Sequence, residues 1–166
     1  MFERMKRKVF TVAEIQKKLE LYCVYQDRCH KEVENKMREF QLIPAAKEII
    51  LLHLLQENFL NEERFSKSFA RGKFRIKKWG KQRIVRELKF RNITAYNIKT
   101  ALKEIDEKEY IATLYAQLEK KDRLLTETNF FKRKQKITTF LLYKGFENTL
   151  VYAAVNDMVV QKKTPE

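Results

Sequence analysis

Apolar residues return at every third or fourth position along most of the chain, the spacing that puts them on one face of an α-helix. Capping residues separate these runs. Thr11 and Asp106 each precede a glutamate by three positions, the pattern of a capping box. The eighth run should stop at Gly145 and the ninth near Val160. The pattern predicts nine helices, which open at or near Thr11, Cys29, Pro44, Asn61, Gly80, Thr94, Asp106, Thr128 and Asn148.

The helical pattern also repeats along the chain. Seven apolar positions of the fifth and sixth helices recur 53 residues later, each again apolar. A shift of 51 residues towards the N-terminus finds six apolar residues out of seven, with Lys47 as the one departure. Shared offsets across a loop in three copies indicate a structural repeat. The seven reference positions are Ile84, Leu88, Ile93, Ile98, Ala101, Leu102 and Ile105.

Each copy reads as helix, short turn, helix, with a less similar third helix between copies. One three-helix unit buries little by itself, so neighbouring units have to stack. We therefore predict an elongated, curved array of three repeats with a basic face. The expected boundaries are residues 1–57, which include the basic N-terminal residues, 58–105 for the central repeat, 106–160 for the third repeat, and 161–166 for a frayed tail.

Composition narrows the fold class and the compartment. Three glycines and two prolines are too few for sheets joined by tight turns, so an all-α fold without a sheet is expected. No apolar run approaches the roughly 20 residues that span a bilayer, and no apolar segment follows the basic N-terminus as in a secretory signal. Cys23 and Cys29 are the only cysteines and lack a metal-like partner pair, which favours a reducing, cytoplasmic location. The chain is also expected to be monomeric.

Charge indicates the kind of partner. The formal net charge is +14, and residues 71–91 contain ten basic residues and one acid, Glu87. Such clustering favours an anionic partner such as nucleic acid or an acidic nucleoprotein, whereas a surface shaped for solubility normally mixes both signs. The cluster around Lys132 opens the eighth helix, where the helix dipole disfavours cations. Either an outside ligand or solvation would compensate these charges.

Local motifs resemble a known family. Residues 60–66, LNEERFS, are followed by a basic stretch, by Gly80, and then by IVREL and RNI at residues 84–88 and 91–93. This order and spacing is similar to the RecX regulatory family, whose pattern is roughly Leu-Asp-Asp-x-Arg-Phe-Ala, Gly, Ile-x-x-Glu-Leu and Lys-Gly-Ile. RCHKEVENKM at residues 28–37 and FLLYKGF at residues 140–146 resemble further motifs of the same family.

The chain departs from the family pattern at a few positions. Asn61 and Glu62 stand in place of two aspartates, and Cys29 stands in place of a serine. Asn58 and Asn92 occupy turn positions where the family often has glycine, and asparagine is the next residue type able to adopt a positive φ angle. These changes preserve the local backbone physics, although they bear on whether contacts with a partner are shared.

The resemblance implies a helical modulator of the RecA recombinase. Members of the family bind the RecA filament on DNA, lie in its helical groove, and inhibit ATP hydrolysis and strand exchange, which ties them to homologous recombination, DNA repair and the SOS response. The expected partners are the RecA filament and, in weak and salt-sensitive binding, single- and double-stranded DNA. The alternative from the residues alone is a general helical module that binds DNA or RNA through its basic face.

Fourteen residues form the predicted interface. Two of them have a competing structural interpretation: Arg64 could pair locally near the start of its helix, and Trp79 could pack against its own repeat instead of a base or partner pocket. The predicted set is Arg64, Arg71, Lys73, Arg75, Lys77, Lys78, Trp79, Lys81, Arg83, Arg86, Lys132, Arg133, Lys134 and Lys136.

No catalytic site, cofactor or metal is expected. Gly80 and Lys81 do not form a phosphate-binding loop, because the required glycine upstream of Gly80 is absent and Gln82 stands where a serine or threonine is needed. Cys23, Cys29 and His30 lack both a fourth ligand and a Cys-x-x-Cys pair for zinc. A binding protein is therefore expected, not an enzyme.

Overall fold

Helices make up nearly all of the regular structure. The computed structural model describes residues 9–163, with side chains through residue 158. Within these residues there is no strand, and the all-α prediction is confirmed. None of the described helices is long and apolar enough to cross a membrane. The helices are α1 (Val12–Tyr25), α2 (His30–Met37, continued by a 3₁₀ turn, Arg38–Phe40), α3 (Pro44–Gln56), α4 (Glu62–Lys77), α5 (Lys81–Phe90), α6 (Ala95–Leu102), α7 (Glu107–Leu124), α8 (Phe130–Lys144) and α9 (Asn148–Lys163).

Side-chain caps begin several of these helices as predicted. The Thr11 hydroxyl accepts the N–H of Glu14 at 3.2 Å, and the Glu14 carboxylate accepts the N–H of Thr11 at 2.8 Å, which completes a capping box. Asn61, Thr94 and Asp106 each accept a backbone N–H three residues ahead. These bonds satisfy amides that a helix start otherwise leaves unpaired.

The start and end of α9 differ from the prediction. Asn148 is the first residue of the helix and not its cap, because the carbonyl of Glu147 accepts the N–H of Val151 one residue earlier than expected. Helix α9 also continues to Lys163, so the first three residues of the predicted frayed tail are helical. Residues 164–166 of that tail and the basic residues 1–8 lie outside the described residues.

Positive φ angles mark the ends of helices. Asn58 (φ 58°) and Asn92 (φ 60°) adopt the left-handed conformation that the sequence predicted for them, and Gly145 (φ 96°) ends α8 in the same way. Lys78 (φ 56°) was not anticipated. It ends α4 because the N–H groups of Lys78 and Trp79 turn back to the carbonyls of Phe74 and Lys73.

The repeat seen in the sequence is visible in what is buried. In the central copy, six of the seven reference positions are buried, and their counterparts 53 residues later include Ile137, Leu141, Phe146 and Val151, all fully buried. In the first copy Val33, Met37, Ile50 and Leu54 are buried in the same places. The exact boundaries of the three repeats stay a prediction.

The chain divides into two compact units between Phe65 and Ser66. The N-terminal unit has a core of aliphatic residues from α1, α2 and α3, closed by Leu60. Phe10, Phe40 and Phe59 pack against its edge. The core residues are Ile15, Leu19, Cys23, Val33, Met37, Ile50, Leu54 and Leu60.

Aromatic rings meet in the C-terminal unit. The ring of Tyr110 in α7 lies 5.8 Å from that of Phe74 in α4 and 5.3 Å from that of Phe146, between centroids. The Tyr110 side chain is fully buried, so its hydroxyl has to be paired. It donates to the carboxylate of Glu147 at 2.6 Å and accepts the N–H of Lys81 at 2.9 Å.

The end of α8 meets the start of α5 through backbone atoms. The N–H of Gly80 donates to the carbonyl of Lys144 at 2.8 Å, and the N–H of Gln82 donates to the carbonyl of Gly145 at 3.0 Å. With the Lys81 N–H on Tyr110, the amides of Gly80, Lys81 and Gln82 at the start of α5 are paired. A Cβ on Gly80 would lie 2.2 Å from backbone atoms of Gly145, so only glycine permits this approach.

We predict that Gly80→Ala lowers the free energy of unfolding by about 2–3 kcal/mol, because the new methyl group overlaps a backbone that cannot move without breaking two hydrogen bonds. The matched control is Gly72→Ala within α4, where a Cβ meets nothing within 4 Å and alanine should stabilise by about 0.5–1 kcal/mol. Urea unfolding measures both. Equal stability of the two variants would contradict the role given to Gly80.

Candidate nucleic-acid interface

Arg64 serves the N-terminal unit. Its Nε donates to the Asp27 carboxylate at 2.8 Å, and its terminal nitrogen donates to the carbonyls of Asn58 and Phe59 at 3.1 and 3.2 Å. The guanidinium therefore ties the left-handed turn before α4 to the segment that follows α1. This geometry agrees with the local pairing that the sequence left open for Arg64.

Two of the predicted cations in the C-terminal unit lie in ion pairs, one with an acid in the turn before α7 and one with the first residue of α7. Arg71 contacts the Glu104 carboxylate at 2.7 Å, and Lys81 pairs with Glu107 while its Nζ lies 4.6 Å from the centre of the Tyr110 ring. Lys81 is mostly buried. Both charges are thus partly neutralised within the fold, and a ligand would have to compete with these acids.

The second predicted cluster, at the start of α8, is also largely used within the fold. Arg133 donates to the Asp122 carboxylate and to the carbonyls of Asp122, Leu125 and Glu127, which satisfies the end of α7. Lys136 contacts Glu127 at 3.0 Å, and this contact is the main cause of the lowered pKa of the Glu127 carboxyl.

Lys134 and Lys132 complete this cluster. Lys134 donates to the side chain of Asn156 at 3.0 Å, and Lys132 is exposed. Acids and carbonyls of the fold therefore compensate Arg133 and Lys136, while Lys132 and Lys134 have no carboxylate partner among the described residues.

Lys73, Trp79, Arg83, Tyr143 and Lys144 form what we call the cation–aromatic cluster. The Arg83 guanidinium carbon lies 4.1 Å from the ring centre of Trp79 and 4.9 Å from that of Tyr143, so one cation contacts two aromatic rings. The Lys73 ammonium lies 5.1 Å from the Trp79 ring. Lys144 donates to the carbonyl of Lys77 at 3.0 Å. Trp79 is therefore partly covered by two cations of its own repeat, and Arg83 links it to Tyr143 of the following repeat.

Positive charge is concentrated at this cluster. Burial, together with the nearby charges of Arg83, Lys120 and Lys77, lowers the pKa of Lys144. Burial is the larger cause, and the repulsion from the three like charges adds to it. An anionic ligand at this place would relieve that repulsion.

Four predicted cations lie at the surface around the cluster. Arg75, Lys77 and Arg86 are exposed and Lys78 is half-buried, and none of the four side chains contacts a carboxylate within residues 9–158. Arg75, Lys77 and Lys78 end α4 beside Trp79, where cations are favoured by the helix dipole. They are the residues of the predicted set best placed for phosphate contacts.

Sequence reasoning missed Tyr143, Lys144 and Phe140. The Lys144 ammonium lies 5.7 Å from the centre of the Phe140 ring, and Lys121 of α7 lies 5.1 Å from the same ring. These residues are sixty or so positions from Arg83, and only the approach of α8 to α5 brings them together. The one available signal was the exposed position of Tyr143 beside a helix-ending glycine.

No group of three His, Cys, Asp or Glu side chains in the described part of the chain is placed to hold a metal ion. What the C-terminal unit offers is a surface of cations and aromatic faces. Such a surface is suited to binding and orienting anions.

Comparison with known proteins identifies the family. Residues 61–102 match the model of the RecX second three-helix domain, and residues 107–155 match that of the RecX third three-helix domain. The chain belongs to the RecX family.

Relatives and solved structures agree with the RecX assignment. "Regulatory protein RecX" of Bacillus cytotoxicus is 23% identical over 141 residues (85% of this chain, 52% of the relative), and that of Enterococcus faecalis is 27% identical over 143 residues (85% and 53%). The chain spans about half the length of these curated relatives. The crystal structure of RecX from Lactobacillus salivarius shares the fold with a TM-score of 0.77 at 21% identity, covering 90% of this chain and 97% of that one.

The RecX matches also show how the residues of the cation–aromatic cluster are divided between domains. The boundary between the second and third domain models falls between residues 102 and 107, so Trp79 and Arg83 lie in one domain of the family and Tyr143 and Lys144 in the next. The cation–aromatic cluster is therefore built by two successive RecX domains.

Tyr110→Phe removes the hydroxyl that pairs with both Glu147 and the Lys81 N–H, which leaves two partners of a buried site unsatisfied. We expect a loss of about 1–3 kcal/mol in the free energy of unfolding at pH 7. Tyr115→Phe is the control, because the Tyr115 hydroxyl contacts Asp157 at the surface and its removal should cost less than about 0.5 kcal/mol. Similar losses in both variants would contradict this account.

The contribution of the Tyr110 hydroxyl to stability should depend on pH. Burial first, and then the bond to Glu147, raise the pKa of Tyr110 above its ordinary value of 10.0. The unfolded chain therefore loses this proton first as the pH rises above 10, and the contribution of Tyr110 to stability is lost from there upwards. The difference in unfolding free energy between the native protein and Tyr110→Phe should shrink between pH 9 and 11, measured by urea titration. A constant difference would exclude a native pKa above 10.

Proposed function

We propose that this chain binds the RecA filament on DNA and inhibits its ATP hydrolysis and strand exchange. In this role it regulates homologous recombination and DNA repair, including the SOS response, as a cytoplasmic, monomeric protein without catalytic activity of its own. To inhibit, it has to bind the inactive or disassembling state of the filament more tightly than the active state, because equal affinity for both shifts nothing.

Membership of the RecX family supports the proposal, since the matched relatives are named regulatory proteins. The single observation that carries it furthest is the cation–aromatic cluster with the exposed Arg75 and Lys77 and the half-buried Lys78 beside it. Cations that the fold leaves without acids suit a nucleoprotein, which presents DNA phosphate and protein carboxylates together.

A general nucleic-acid-binding module is the second candidate. The same cations and aromatic rings would suit bare single-stranded DNA or RNA, and binding would be steeply salt-dependent in both cases. The two functions differ in stoichiometry. A filament regulator acts at concentrations far below those that coat the DNA, whereas a coating protein inhibits RecA only when the DNA is saturated.

The first test is RecA ATP hydrolysis on single-stranded DNA with increasing amounts of this protein. We expect half-inhibition at a protein concentration at least about tenfold below that which saturates the same DNA without RecA. Inhibition only at DNA saturation would support the general module. Unchanged ATP hydrolysis at every concentration would reject the proposed function.

A second test removes three cations next to the cluster. The triple variant Arg75→Gln, Lys77→Gln, Lys78→Gln should raise the concentration for half-inhibition by about tenfold and reduce the slope of log affinity for DNA against log salt by about 2. Lys81 is left intact because its loss would break the pair with Glu107.

The matched control is Lys99→Gln, Lys103→Gln, Lys108→Gln, which removes the same charge from exposed positions on α6, α7 and the turn between them. It should behave like the native protein within about twofold in both measurements. An equal effect of the two triple variants would mean that net charge matters and the assigned surface does not.

A further inference from the structure

A groove of about 450 Å³ lies between α7 and α8, beside the cation–aromatic cluster. It is separate from the start of α5 and from the carbonyls that Arg133 satisfies. Its walls combine two aromatic rings, two lysines, an amide and a hydroxyl. The lining residues are Lys121, Gln135, Lys136, Thr139, Phe140 and Tyr143.

Tyr143 gives this groove a flat surface. Its side chain is 69% exposed, although the ring lies against the Arg83 guanidinium at 4.9 Å. The Arg83 guanidinium lies over part of the ring, and the remaining aromatic surface is open to a ligand. Flat rings held by cations at a protein surface are the platforms on which unpaired bases stack.

Cations surround the aromatic rings. Lys121 and Lys144 lie 5.1 and 5.7 Å from the centre of the Phe140 ring, and Arg83 lies beyond Tyr143. Lys136 stands on the rim and is paired with Glu127 at 3.0 Å, the one carboxylate bound to a lining side chain within the described residues. The charge that faces the groove is therefore mainly positive and complements phosphate on either side of a bound base.

The other wall offers hydrogen bonds. The side chains of Gln135 and Thr139 are exposed on α8, one turn apart. An amide both donates and accepts, and a hydroxyl does so too, so this wall can pair with the edge of any base without a fixed preference. A duplex keeps its base faces stacked inside, so only a single strand can use both the ring and the wall.

We propose that this groove binds one unstacked base of single-stranded DNA. The base stacks on Tyr143 with its edge towards Gln135 and Thr139, and the adjoining phosphates contact Lys121, Lys144 and Arg83. The choice of DNA rests on the proposed function, whereas the base site follows from the groove. An acidic protein segment is the competing occupant, and it would gain from the lysines but not from a stacking face.

The test measures binding without RecA, so its result is independent of whether RecA is inhibited. The probes are a fluorescein-labelled oligo(dT) of about 15 nucleotides and an abasic strand of the same length, which keeps the phosphates and lacks the bases. Fluorescence anisotropy gives both affinities. Trp79, the only tryptophan, contacts Arg83 and provides a second signal through its emission.

Tyr143→Ala should weaken binding of oligo(dT) by about tenfold and change binding of the abasic strand by less than about twofold, since the loss concerns stacking and not charge. Tyr143→Phe should retain the native affinity. Tyr152→Ala is the matched control: it removes a phenol that is 51% exposed on α9 and lines a different groove, so both affinities should stay unchanged.

Several results would overturn the proposal. These are an equal loss on both probes, no loss on either, a loss as large for Tyr152→Ala, or tighter binding of oligo(U) than of oligo(dT). Photocrosslinking of bromodeoxyuridine-substituted oligo(dT) to the native protein avoids any question about the folding of variants. Crosslinks at Tyr143 or Phe140 support the base site, and crosslinks confined to Phe131 or Tyr152 refute it.

Discussion

Where α8 ends and α5 begins, the backbones of Gly145 and Gly80 touch, and the carbonyls at the end of one helix accept the amides at the start of the other. Each helix end would otherwise carry unpaired polar groups that have to be solvated or capped. The pairing satisfies both ends at once. It also aligns the negative end of one helix dipole with the positive end of the next, which is favourable.

This contact depends on the absence of side chains. A Cβ on Gly80 would overlap Gly145, and Gly145 itself has a φ angle of 96° that other residues adopt only with strain. Tyr110 also stabilises this contact between α8 and α5, since its hydroxyl accepts the Lys81 N–H and its ring packs between Phe74 and Phe146. Backbone pairing and an aromatic core thus fix the position of α5 against the following repeat.

The candidate interface is a consequence of the same contact between α8 and α5. Because α8 ends against α5, Tyr143 and Lys144 come to lie beside Trp79 and Arg83 from the preceding repeat. Arg83 can then contact two rings at once, and burial together with the nearby cations lowers the pKa of Lys144. A surface that concentrates charge in this way lies where two repeats meet and does not belong to a single helix.

The sequence by itself determined the helices, their caps and the buried positions of the repeat. These depend on interactions within a few residues, such as Thr11 with Glu14, or on the helical period, as for Ile84 and Leu88. The prediction was wrong only locally, for instance at Asn148, which is the first residue of α9, so the helix starts one residue earlier than a cap at that position would place it.

Only the tertiary structure decided which cations remain available to a partner. Arg64, Arg71 and Arg133 look alike in sequence to Arg75 and Arg86, yet the former meet Asp27, Glu104 and Asp122, each at least eleven residues away. An ion pair depends on which helices pack together, and local periodicity does not specify that. The same reason hid Tyr143 and Phe140, whose part in the groove exists only once α7, α8 and α5 have come together.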